Sequence, residues 1–413
     1  MAPEPAGAAA LPYDPFDTGF QYDPYPSYRR LRRDHPVYRH PRGFWALSRF
    51  ADLWDALHDP RRFSSAQGLT FHPDEIGSLG LAPTMVMLDP PRHTQLRRLV
   101  SRAFTPRRID ELEDGVRSFV RARLDEMAAR AADGEEVDLH RMYSSPLPTH
   151  VLAELLGIPA ADRHRLDPWV HALVRLQEDG PEDRGDGKDG DGPGPHQVVA
   201  ELYAYFSALV ADRRASPADD LISALTLAEV DGERLTDWDV LGFCFVMVAG
   251  GNDTTGNLIS HSVALLDGAP DQRRRLAADP GLLRTAVLEF LRLEGSVQGL
   301  CRTVTTDLEL HGVTIPAGDK VMLLYASGNR DETEFGPRAD RLDVDRTIPR
   351  HLGFASGPHV CIGAHLARMQ ARVALAELLA RFPEVGVDLD RGVRVHSAFT
   401  RGWDSLPATG LTG

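Results

Sequence analysis

The sequence predicts a mainly α chain with small β-sheets, an α+β fold in which helices clearly outweigh strands. Two observations carry that expectation. Apolar residues recur at the 3-4 spacing of amphipathic helices, at Val116, Phe119, Val120, Leu124 and Met127, and again at Leu366, Met369, Val373, Leu375 and Leu379. Strand candidates, by contrast, are short and bounded by turn residues: Val37-Tyr38, Phe44 to Leu47, Leu308 to Leu310 and Val321 to Tyr325. No internal repeat of roughly 20 to 50 residues accompanies them.

Taken in order, the first strands flank the turn signal Pro41-Arg42-Gly43, and the helix through Met127 is expected to stop at Gly134. The stretch from Pro181 to Pro195 has neither apolar residues nor periodicity, so it reads as a loop, either a domain linker or a lid. Thr236 with Asp239 three residues later resembles a capping box. A helix from there to Asp267 would be about 45 Å long. Its first half, Leu241 to Ala249, is apolar on all sides and therefore interior. Gly250-Gly251-Asn252-Asp253-Thr254-Thr255 follows, a run that costs helix stability by propensity and desolvation. Either something compensates, or the helix ends at Ala249. Beyond Gly281 come a helix from Leu282 to Leu293, the alternating strands, and a last helix from near Gly363.

A chain of 413 residues exceeds one small core and suggests two or three domains, or one large one. Its 42% hydrophobic and 26% charged residues fit a globular protein. No stretch approaches the roughly 18 uninterrupted apolar residues of a membrane span, and no basic flank precedes an apolar run at the start, so a soluble, cytoplasmic chain without membrane contact is expected. The net charge of −14 argues against general nucleic-acid binding. Lysine occurs only at Lys188 and Lys320, an arginine bias that points to a GC-rich genome rather than to chemistry.

The three cysteines, Cys244, Cys301 and Cys361, suit neither a disulfide framework nor a zinc site. Cys361 stands apart, because Gly357 and Gly363 let a loop backbone turn its amides toward the sulfur just before a helix N-terminus. Both features favour thiolate over thiol. A lone stabilised thiolate serves as a nucleophile or as a metal ligand, whereas Cys244 and Cys301 read as buried and inert.

Phe354, Gly357, His359, Cys361 and Gly363 resemble the haem-binding loop of the cytochrome P450 superfamily, FxxGxxxCxG. Glu289-Phe-Leu-Arg292 is similar to the family's ExxR pair, Gly250 to Thr255 to its oxygen-binding helix segment, and Asp89 to Arg97 to the helix that holds the haem propionates. The four signals stand in the family's order over most of the chain. The resemblance implies a single P450 domain over 1–413, with 181–196 as a substrate-access lid and haem b (heme b) between the long central helix and the cysteine loop.

Residue by residue, it implies Cys361 as iron ligand and His93, Arg97, Arg302 and His359 as propionate partners. His93 and Arg97, four apart, share a helix face. It implies that Gly250 and Gly251 leave room over the haem, that Asp253 and Thr254 relay protons to dioxygen, and that Glu289 and Arg292 form a structural network with Arg341 or Arg346. A substrate pocket would take Phe243, Val246, Met247, Ser296, Val297, Ala398 and Phe399, mostly apolar side chains.

Two departures from the family pattern are Ala355, commonly glycine, and Ser296, commonly proline, which would place a polar group near substrate. The implied activity is that of a soluble bacterial monooxygenase, a monomer acting on a small hydrophobic organic substrate. Electrons from NAD(P)H would arrive through ferredoxin reductase and ferredoxin. Rival readings are a peroxide-driven haem enzyme, a haem-binding sensor without turnover, and a cysteine hydrolase, for which no oxyanion-hole residue is identifiable.

Overall fold

The computed structural model describes residues 12–73, 75, 84–166, 168–170 and 195–411. The predicted lid at 181–196 lies outside them up to 194, and Pro195 begins a helix. Among the described residues no helix is long and apolar enough to cross a membrane.

Val37–Arg39 (β1) and Trp45–Leu47 (β2) pair antiparallel around Gly43, as the turn signal implies. Three further strands complete one small sheet: Phe63–Ser64 (β3), Leu300–Val304 (β4) and Lys320–Leu323 (β5). The spatial order is β1-β2-β5-β4-β3, with β2 parallel to β5 and the other pairs antiparallel. Tyr325, expected in the last strand, instead opens a short helix, Tyr325–Gly328.

The helical side holds Arg92–Ala103 (α1), Glu113–Ala132 (α2), Pro195–Ala215 (α3), Asp237–Gly251 (α4), Asp253–Asp267 (α5), Leu283–Leu293 (α6) and Ala364–Arg381 (α7). In α2 the predicted stripe Val116, Val120, Leu124 and Met127 is buried, and the chain leaves the helix at Gly134, where φ is 75°. Helix α7 buries Leu366, Met369, Val373, Leu375 and Leu379 against α2, α5 and α6, making the main hydrophobic core.

The central helix follows neither of the two courses open in the sequence. Its capping box is present, Asp239 N–H donating to Thr236 Oγ1 at 3.1 Å and Thr236 N–H to Asp239 Oδ2 at 2.9 Å. It runs past Ala249 to Gly251, breaks at the single residue Asn252, and resumes as α5. The break is partly compensated locally, since Asn252 Nδ2 donates to the Val248 carbonyl at 3.0 Å.

Glu289 and Arg292 on α6 are fully buried. Arg292 grips both carboxylate oxygens of Glu289, at 2.7 and 2.9 Å, and donates to the carbonyls of Asn329 and Ala339. The third member is Arg346, whose Nε lies 3.1 Å from Glu289 Oε1; Arg341 contributes only a carbonyl. Arg346 also donates to the Phe335 and Arg338 carbonyls. One buried carboxylate thus ties α6 to the irregular chain that leads into the cysteine loop. Removing a partner from such a pair leaves an uncompensated buried charge, so Glu289→Gln is expected to cost about 3–5 kcal/mol, read by urea unfolding.

Candidate active site

Before α7 the chain makes one 3-10 turn, Gly357–His359, and Cys361 N–H then donates to the Phe354 carbonyl at 2.9 Å. Gly357 has φ 68°, and a Cβ there would sit 2.2 Å from the Leu57 carbonyl oxygen, so only glycine fits. Ala355, the departure from the family's glycine, takes φ 55°. That backbone region costs a residue with a side chain roughly 1–2 kcal/mol.

As the glycine-flanked loop suggests, the backbone amides of Gly363 and Ala364 turn to the Cys361 sulfur. Burial is nevertheless the largest influence and raises the thiol above its ordinary value, against those amides and the Arg97 guanidinium. The expected preference for thiolate is therefore not met by the chain's own groups alone. Cys361 is also exposed, although burial dominates its acidity.

His93, Arg97, Arg302 and His359 converge beside this loop. The rings of His93 and His359 lie 4.1 Å apart. Burial, with Arg302, His93 and Arg97 nearby, pushes His359 down to about 3, and burial and Arg97 lower His93 as well. Both imidazoles are thus neutral. His93 is 2% exposed, yet neither ring nitrogen has a hydrogen-bond partner. Arg302, also buried, donates to its neighbour's carbonyl at 2.8 Å, and neither it nor Arg97 has an ion pair among the described residues. Two guanidinium groups and an orphaned imidazole without an anion are the donor set for a buried dianion. Ser65, not anticipated from sequence, joins them with Oγ 3.4 Å from His359 Nε2.

At the helix break, a Cβ added to Gly250 or Gly251 would meet nothing within 4 Å. Open space therefore lies against an otherwise interior helix. Thr254 Oγ1 donates to the Gly250 carbonyl at 2.8 Å. Ser296 Oγ donates to the Thr254 carbonyl at 2.9 Å, so this hydroxyl braces the helix. Asp253 Oδ1 accepts from Asn257 Nδ2 at 2.9 Å, a contact that the spacing of four on one helix face makes legible but that sequence reading passed over.

The remaining pocket positions divide. Phe243 and Met247 are buried, Phe243 edge-on to Phe104 at 6.4 Å between ring centres, while Val246 stays half-buried. Val297 bridges to Thr400, and Phe399 packs on Phe71 at 4.7 Å.

The cradle suits haem: a sulfur with two backbone amides turned to it, two guanidinium groups without an ion pair among the described residues and an orphaned imidazole for propionates, and bare glycines beside open space. Cys361→His is expected to abolish the red-shifted Soret band of the reduced carbonyl complex, while Cys244→Ser and Cys301→Ser, both at buried cysteines, keep it. Ala355→Gly is expected to stabilise the chain by about 0.5–1 kcal/mol in thermal unfolding, relief of backbone strain minus glycine's entropy.

Residues 195–391 match the family model for cytochrome P450. Cytochrome P450 130 of Mycobacterium tuberculosis is 44% identical over 395 residues, covering 93% of this chain and 94% of that protein. The vitamin D(3) 25-hydroxylase of Pseudonocardia autotrophica is 38% identical, over 96% of both chains. A solved cytochrome P450 of Chondromyces apiculatus superposes with a TM-score of 0.85 at 33% identity, over 97% of this chain and 98% of that one. With the cysteine loop, the buried Glu289–Arg292 pair and the broken central helix all in place, the chain belongs to the cytochrome P450 family of haem-thiolate oxidoreductases.

Proposed function

We propose that the chain is a monooxygenase that inserts one atom of dioxygen into a mainly hydrophobic organic substrate, with Cys361 as iron ligand and Asp253 and Thr254 as the proton-delivering pair. The observation that carries this reading is the open space at Gly250 and Gly251 followed within one turn by an acid and an alcohol. Bound haem would supply the activation of dioxygen, with thiolate donation favouring O–O cleavage.

The chain's own part is to hold the group, exclude water and move protons. Converting R–H and dioxygen to R–OH and water consumes two electrons and two protons. Leu241 to Val248 offer no proton donor except the buried Cys244, whose thiol burial holds far above the neutral range. Asp253 and Thr254 stand where the helix first becomes polar. Thr254→Ala is expected to leave haem binding intact while raising the peroxide released per NADPH, because a proton-transfer group contributes on the order of 10²–10⁴ to such a step. A parental peroxide fraction in this variant would return Thr254 to a structural role.

A hydrophobic substrate is supported by the apolar Val246, Met247, Val297 and Phe399, and by a relative named as a vitamin D(3) hydroxylase. A high-spin shift of the haem spectrum on titration with steroid, terpenoid and branched fatty-acid probes tests it; no shift with any of them would count against this class.

For electron supply we propose a ferredoxin and its reductase. A groove of about 610 Å³ opens beside the cysteine loop, lined on its two sides by Arg98 and Arg102 and by Gly357, Pro358 and Val360. Of the arginines near it in sequence, Arg98 pairs with Asp231, Arg107 with Glu111, Arg108 with Asp219 and Arg350 with Glu334. Arg102 is exposed with no ion pair among the described residues, so it has the most charge to offer an acidic carrier. Arg102→Glu is expected to slow reduction by ferredoxin about tenfold at low ionic strength, without changing dithionite reduction. Arg107→Glu is expected to do less.

A further inference from the structure

The helix break carrying Asp253 and Thr254 is held from one side by a closed ring of hydrogen bonds. Ser296 Oγ donates to the Thr254 carbonyl, and Arg401 N–H donates to the Ser296 carbonyl at 2.7 Å. Two residues further on, Trp403 N–H donates to Asn257 Oδ1 at 2.8 Å, and Asn257 Nδ2 donates to Asp253 Oδ1, closing the ring. Asn257 is completely buried. Each end of its amide has one defined partner, which removes the flip ambiguity of a free amide: only one orientation lets the oxygen accept from a backbone N–H and the nitrogen donate to a carboxylate. The fit is also tight, since a Cβ on Gly402 would lie 2.3 Å from Asn257 Nδ2.

We infer that Asn257 is a positioning residue for the reaction, fixing the Asp253 carboxylate in one rotamer from the backbone of Trp403. The inference rests on the reading of Asp253 as a proton-delivering acid and deepens it. A carboxylate on a half-buried helix position has several rotamers open to it. A charge-assisted bond from a side chain that is itself locked commits Oδ1 to the scaffold. The bridge from Thr400 to Val297 lies three residues before this anchor in the same segment. Trp403 opens the strand Trp403–Ser405, paired with Val393–Arg394, so the anchor lies on sheet rather than on a free loop.

Three variants of the haem-loaded enzyme test this, driven by NADPH through a plant-type ferredoxin and its reductase without substrate. Dioxygen then leaves as peroxide at one NADPH per dioxygen, or is taken to water at two. Asn257→Asp keeps the acceptor for Trp403 N–H but replaces the donor facing Asp253 with a second carboxylate. It is expected to raise the peroxide fraction severalfold while the reduced carbonyl band stays unchanged. Asp253→Asn is expected to do the same. The exchanged pair, Asp253→Asn with Asn257→Asp, restores a hydrogen bond with its polarity reversed and the acid moved one turn along the helix. It is expected to recover the melting temperature lost in Asn257→Asp while keeping the high peroxide fraction.

A parental peroxide fraction in Asn257→Asp, with Asp253→Asn still raising it, overturns the positioning role alone. A parental fraction in Asp253→Asn overturns the acid assignment and this inference with it. Recovery of both stability and peroxide fraction in the exchanged pair would make the bond merely structural. Additive melting temperatures across the cycle would show that the two side chains do not interact, and would overturn the contact itself.

Discussion

The structure turns on one buried carboxylate. Glu289 has no water to solvate it and is instead shared between Arg292 on its own helix and Arg346, while the amide of Asp343 donates to the same oxygen at 3.1 Å. The arginines spend their other donors on carbonyls of Phe335, Arg338 and Ala339, in a segment with little regular structure of its own. Charge burial of this kind is weak evidence for added stability, because desolvation offsets the attraction. Its effect here is specification: an irregular chain with few ladder bonds is given a single course, and that course delivers Phe354 to Cys361 to the start of α7.

The site downstream is unbalanced by design of its charges. Arg97 and Arg302 face two neutral histidines, and the thiol of Cys361 is raised rather than lowered. Left to the protein alone, these groups oppose one another's protonation states and leave His93 without a partner. A group carrying two carboxylates and a metal cation would give Arg97, Arg302 and His93 acidic partners and Cys361 a cationic one. At the helix break, a Cβ added to Gly250 or Gly251 would likewise meet nothing within 4 Å.

Across the space, four polar side chains at the helix break have defined partners. Asn252 bonds back to Val248, Thr254 to Gly250, and Asp253 to Asn257, while Ser296 supports the Thr254 carbonyl from outside. The break therefore replaces lost backbone bonds with side-chain bonds, as buried polar groups require. Within this run Gly250 is exposed and Gly251, Asp253 and Thr254 are half-buried, whereas Asn252 is buried.

The sequence by itself determined the fold class and the family resemblance: helical spacing marked α2 and α7, the capping box marked the start of the central helix, and glycines around one cysteine set Cys361 apart from the other two. These are local signals, set by residues within a turn or two of one another. Tertiary structure decided what depends on partners distant in the chain. Arg346 rather than Arg341 completes the Glu289 network because only its guanidinium reaches Oε1. Ser296 braces the helix because Thr254, 42 residues away in sequence, lies within hydrogen-bond reach in space. Asn257 is fixed by Trp403, 146 residues on. The helix breaks at Asn252, rather than running through or stopping at Ala249, because contacts on α5 repay its resumption, and no propensity scale contains those contacts.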